Sequence, residues 1–194
     1  MRRPRPAPCL LLAAALACGG GAAPARPAPV PAAGVPIPSR ITRVPDANTA
    51  AILLMSHNAV LAAARLAPTR AQHRDVKLLA RSLVTDHTAM SSTLSRLLAS
   101  TEITPREDEV TRLLRDQSAA RRDTLRNLAG AEFDSAYVET EVRYHQELLV
   151  AIDRVFVPSV RNVRLREYVS AIRPTIANHL ALASQVRDAI TARR

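Results

Sequence analysis

From Asp46 onward, apolar residues return every three or four positions, the spacing of one face of an α-helix. The pattern breaks at Pro68, Pro105, Gly130 and Pro158, residue types that interrupt helices because proline lacks an amide donor and glycine costs helix stability. Five helical stretches are predicted, over about 46–67, 70–101, 106–128, 131–157 and 160–192. Local signals agree. Pro45-Asp46 suits a helix start, and Thr104-Pro105 precedes Glu107, Asp108 and Glu109, acids that favour a first turn. Asn127 and Gly130 suit the close of the third stretch.

At 100° per residue, four of the five stretches carry one histidine inside the apolar stripe. His57 lies among Leu53, Leu54, Val60 and Leu61; His87 among Val76, Leu83, Met90 and Leu94. His145 lies among Val138, Val142, Leu148 and Ile152, together with Asp134 and Glu141; His179 lies among Tyr168, Ile172, Ile176 and Val186. Stretch 106–128 has only a thin stripe, Val110, Leu113, Leu114, Leu125 and Leu128, amid many charges, and reads as peripheral. Its length of ~34 Å at 1.5 Å per residue is enough to return the chain along a bundle. The expectation is an all-α, ferritin-like four-helix bundle with an additional helical crossover between the second and third main helices.

Charge is unevenly placed. The chain has 194 residues with 27 Lys+Arg against 17 Asp+Glu, but every acid lies at or beyond Asp46, while six arginines, ten of the 14 prolines and four of the five glycines precede it. The domain 46–194 therefore carries 21 basic residues against 17 acids, too slight an excess to argue for nucleic acid. Arg121-Arg122 and Arg161 to Arg166 are mixed with acids and read as solvated faces. A domain of this size needs neither disulfide nor metal to fold, and no uninterrupted run of ~20 apolar residues suggests a membrane span.

The basic segment has the order of an export signal over residues 1–17: Arg2, Arg3 and Arg5, an apolar run from Cys9, then small residues at Ala15-Leu16-Ala17. That ending suits ordinary signal peptidase. Followed by Cys18 and Gly19 it also resembles a bacterial lipobox, with Ala15 where leucine is usual. The lipoprotein reading fits better, because Cys18 alone of the two cysteines would survive cleavage and residues 18–45 would follow it as a Pro/Gly/Ala-rich disordered tether. Lipidation at Cys18 would anchor the protein to a membrane. The expected location is then the periplasm or the outer membrane of a bacterial envelope, with the protein partner unknown.

Val84-Thr85-Asp86-His87-Thr88, then Gly130-Ala131-Glu132-Phe133-Asp134-Ser135-Ala136-Tyr137 with His145 eight residues on, then Pro174 and His179-Leu180, resemble the bacterial DUF4142 family of exported proteins. The likeness spans nearly all of 46–190. It implies a ferritin-like bundle in the envelope and no established activity. The first helix of that family commonly carries a glutamate past its middle, where this chain has apolar Val60 to Ala64.

The domain lacks cysteine, Gly-x-Ser-x-Gly and glycine-rich phosphate loops, so no catalytic residue is expected and the protein is read as a noncatalytic, membrane-tethered bundle. Di-iron bundles use Glu-x-x-His pairs, and here Val84, Val142 and Ile176 stand where the glutamates would be. The alternative is a metal-binding module for zinc, copper or, less readily, iron, using His87, His145 and His179 with Glu141 or His57. Counting helix rise puts His57, His87 and His145 within ~8 Å of one another along the axis and His179 ~10 Å off. A neutral buried histidine also serves a core simply by hydrogen bonding, and Asp86, Glu141, Asp134, Tyr137 and Tyr144 are candidate partners in such a polar layer. His73, near Arg70 and Arg74, reads as a solvated residue, and Phe133-Asp134 beside Gly130 as a helix-to-helix corner.

Overall fold

A computed structural model describes residues 43–192. The proposed signal segment and Cys18, with nearly all of the tether, lie outside the described residues.

The chain runs through α1 (Asp46–Ala64), a short α2 (Ala67–Arg70), α3 (Arg74–Thr101), α4 (Glu109–Arg126), α5 (Gly130–Ala151), a π turn (Ile152–Phe156), a short α6 (Val157–Ser159) and α7 (Val163–Thr191). Among the described residues there is no β-strand, and one isolated bridge joins Ala71 to Gly130. All five predicted helices are present, with ends displaced by up to several residues where local caps decide them. Thus α4 starts after Asp108, whose side chain accepts from the Thr111 amide while Thr111 Oγ1 bonds back to the Asp108 amide. Asn162 caps α7 by accepting from the Leu165 amide at 3.1 Å. At the end of α3, Glu102 turns the chain with φ 55°.

Two aspartates tie the helix connections together and fix the helix directions. The Asp46 carboxylate accepts from the amides of Arg161 and Asn162, at 2.9 and 2.8 Å, so α1 and α7 begin at the same end. Asp134 accepts from the amides of Gln72 and His73, at 3.1 and 2.8 Å, so α5 begins beside the start of α3. The main helices therefore run up (α1), down (α3), down (α5) and up (α7), the order that a crossover between the second and third requires.

That crossover is α4, and it is not peripheral. It lies along α1 and touches α5, burying Thr111, Leu114, Arg121 and Leu125. Its first turn is tied to α1 by Asn48 Nδ2, which donates to the Arg106 carbonyl and to Asp108, each at 3.1 Å. With α3 on one side and α4 on another, α1 is buried almost all round. The stretch Asp46–Arg70 is consequently long and apolar enough to cross a membrane by composition, yet 67% of its most apolar window is packed inside the bundle.

Candidate metal centre

Each main helix sends one histidine into a single core layer: His57 from α1, His87 from α3, His145 from α5 and His179 from α7. All are at most 2% exposed. His87 is the hub, with ring centroids 5.2 Å from His57, 5.6 Å from His145 and 5.2 Å from His179, on which it stacks. His145 and His179 meet edge-on at 5.3 Å. The offset expected for His179 from helix rise is absent, because α7 begins at Val163 and α3 at Arg74, several residues later than the sequence pattern suggested.

One ring nitrogen from each of His87, His145 and His179 lies within 4.8 Å of the other two. A tetrahedral zinc site with Zn–N bonds near 2.05 Å has nitrogens about 3.4 Å apart. The His87 and His145 Nε2 atoms are already 3.4 Å apart.

Acceptors that have no proton to give determine two of the tautomers. His145 Nδ1–H donates to the Glu141 carbonyl at 2.8 Å, leaving Nε2 as its lone-pair nitrogen when the ring is neutral. His179 Nε2–H donates to the Asp86 carboxylate at 2.9 Å. Its other nitrogen, Nδ1, is buried without a hydrogen-bond partner. His87 meets His145 through Nε2 and His57 through Nδ1, the latter contact being 3.1 Å between two Nδ1 atoms. His57 Nε2 in turn lies 2.8 Å from the Tyr168 hydroxyl, which is 3.0 Å from the Met90 carbonyl.

Burial keeps His57, His87 and His145 neutral. It lowers the pKa of His57 to about 4 and of His145 to about 3, against a raising contribution from the Glu141 carbonyl at His145. His87 is held well below the ordinary histidine range by burial first and then by the charges its three neighbouring imidazoles would carry. A neutral imidazole is the form that binds a transition metal.

The family model described as "Domain of unknown function (DUF4142)" matches residues 31–186. The chain belongs to that family. No curated protein and no solved structure was found to match it.

Within this DUF4142 bundle, the candidate residues divide into two groups. His87, His145 and His179 converge. His57 stands behind His87 on its Nδ1 side, and Glu141 stands behind His145, with Oε2 3.5 Å from Nδ1 and hence on the side of the ring away from the lone pair. Both belong to the support of the triad. Asp86 is the partner of His179, as a polar-layer role requires. Asp134 instead caps α3, Tyr144 donates to the Ser56 carbonyl at 3.3 Å, and Tyr137 stacks on Phe133 at 5.5 Å, so none of these three hydrogen-bonds an imidazole. His73 is not simply solvated: it is the N-cap of α3, with Nδ1 accepting from the Asp75 amide at 3.2 Å.

Two participants were not among the site residues expected from the sequence. Arg121, grouped there with a solvated face, is fully buried. Its Nη2 donates to the Ala59 carbonyl at 2.9 Å and its guanidinium lies 4.9 Å from the centre of the Tyr144 ring. The signal was available: Arg121 is seven residues after Leu114 and four before Leu125, on the stripe of α4. Tyr168 lay on the stripe of His179, but nothing in the sequence tied it to His57.

Glu141 is wholly buried beside Arg121, and burial raises its pKa to about 7 against the opposing pull of the guanidinium. Neither carboxylate oxygen accepts a hydrogen bond from a protein group, and Arg121 Nε and Nη1 are likewise unpartnered.

Proposed function

We propose that this protein is a noncatalytic metal-binding bundle of the bacterial cell envelope, holding one zinc or copper ion at His87, His145 and His179. The observation that carries the reading is the convergence of three buried imidazoles, with His179 Nδ1 left without a partner in the core. An orphaned buried polar atom costs about 1–3 kcal/mol, and coordination would satisfy it. The supports match those of metal-bound histidines, whose outer N–H is held by a carboxylate or a carbonyl. Asp86 does this for His179 and the Glu141 carbonyl for His145. Three imidazoles without a bridging carboxylate favour zinc or copper over a di-iron centre. An envelope location and a lipid anchor at Cys18 are supported by Arg2 to Arg5, the apolar run and the small residues before that cysteine.

A second reading has its own support. The contacts from Tyr168 through His57, His87 and His145 to the Glu141 carbonyl are continuous, as expected of a polar layer that sets helix register in a tethered, metal-free bundle.

The protein, purified without an affinity histidine tag and stripped with chelator, is to be titrated with zinc and copper and its bound metal measured by elemental analysis. The metal reading expects one ion per chain, lost in H145A and H179A proteins that still show the helical spectrum. No uptake, with those substitutions lowering only the melting temperature, would overturn it in favour of the register reading.

A further inference from the structure

We infer that His57 and Tyr168 form a hydrogen-bonded switch behind His87 that determines whether His87 offers a lone pair to the triad. The inference rests on the metal-centre reading and adds two positioning residues to it.

Proton counting along the chain of contacts leads to two orders. In the first, the Tyr168 hydroxyl donates to His57 Nε2, His57 Nδ1–H donates to His87 Nδ1, and His87 Nε2–H donates to His145 Nε2. Every contact then has one proton, and His87 has no free nitrogen. In the second, the Tyr168 hydroxyl donates to the Met90 carbonyl, His57 Nε2–H donates to the Tyr168 oxygen, and His87 Nδ1–H donates to His57 Nδ1. The Nε2 atoms of His87 and His145 then face each other as bare lone pairs at 3.4 Å.

The second order is repulsive without a cation and is the one a cation needs. The first is therefore the metal-free order and the second the loaded one. Tyr168, His57, His87 and His145 together hold four protons in each, so the change needs no net release from them. The hydroxyl turns from His57 to Met90, the His57 proton passes from Nδ1 to Nε2, and the His87 proton passes from Nε2 to Nδ1. His145 and His179 keep one tautomer throughout, because a backbone carbonyl and a carboxylate hold their protons.

The test is long-range proton–nitrogen correlation of the imidazoles in nitrogen-15-labelled protein, first metal-free and then with one equivalent of zinc. The expected metal-free pattern has protons on His57 Nδ1 and His87 Nε2; zinc exchanges both, to His57 Nε2 and His87 Nδ1. Zinc-induced shifts at His145 Nε2 and His179 Nδ1 with unchanged His57 and His87 tautomers would overturn the switch and leave the metal centre standing. Absence of any zinc-induced shift would overturn the metal centre and the switch together.

Discussion

Asp86 accepts the Nε2–H of His179 at 2.9 Å, from a side chain that is 39% exposed while the imidazole is buried. A carboxylate at the rim thus holds the proton of a core imidazole on Nε2 and leaves its buried Nδ1 as the lone-pair nitrogen. In the D86N protein, the amide still occupies the site but no longer fixes which nitrogen is protonated. Zinc affinity is expected to fall about 10- to 100-fold, with a small change in melting temperature. Competition against a coloured chelator measures it, and wild-type affinity in D86N would show that Asp86 has no orienting role.

Arg121 joins the crossover helix to the layer below the triad. Removing it leaves the buried Ala59 carbonyl without its donor and takes from Glu141 the guanidinium that favours its ionised form. R121M is expected to lose about 1–3 kcal/mol in chemical denaturation, the loss growing at alkaline pH, where Glu141 ionises. R121M/E141Q should lose less than R121M, because the uncompensated charge is removed with its partner. Equal losses in the single and double variants would show that Arg121 acts through packing on Tyr144 and its bond to Ala59 alone.

The buried histidines make the metal-free bundle sensitive to acid. His57, His87 and His145 take up protons near pH 6.5 when unfolded but resist them when folded, so stability is full above that value and declines as pH falls toward about 4. Each contributes a slope of roughly 1 kcal/mol per pH unit in that window. Glu141 works in the opposite sense. Its raised pKa makes its contribution greatest below its unfolded value and lost as pH rises through about 7, offsetting one of the three histidines. Denaturation midpoints at pH 7.5, 6 and 5 should therefore decrease in that order. A double H57F/H145F protein that remains folded should show a shallower decline, and an unchanged slope would place the acid sensitivity elsewhere.

Gly130 opens α5 with φ +60°, directly after the crossover, and a β-carbon there would lie 3.2 Å from Gln72 Oε1. G130A should cost about 1–2 kcal/mol for the left-handed backbone, measurable by thermal or chemical unfolding, with little effect on metal affinity. The neighbouring Asp134 holds two amides at the start of α3, and D134A is expected to lose a similar amount through the lost cap. A G130A protein as stable as wild type would mean that the turn can adopt another conformation.

The helices, their order and the histidines in their apolar stripes were legible from the residues alone, because helical periodicity is local and proline and glycine mark its breaks. The sequence also carried the family likeness that the match over residues 31–186 establishes. Which side of each imidazole faces which neighbour depends on side-chain conformation and on packing between distant helices. A stripe places Glu141 and His145 on one face of α5, but the His145 side chain turns its Nδ1 back to the Glu141 carbonyl, which puts the carboxylate behind the ring rather than beside its lone pair. The depth of α4 was likewise undecided, since a lone arginine on a thin stripe fits a solvated helix as well as a buried one. Packing against α1 buried Arg121, and no local pattern contains that contact. The link from Tyr168 to His57 spans 111 residues and exists only where α7 and α1 meet in the folded bundle.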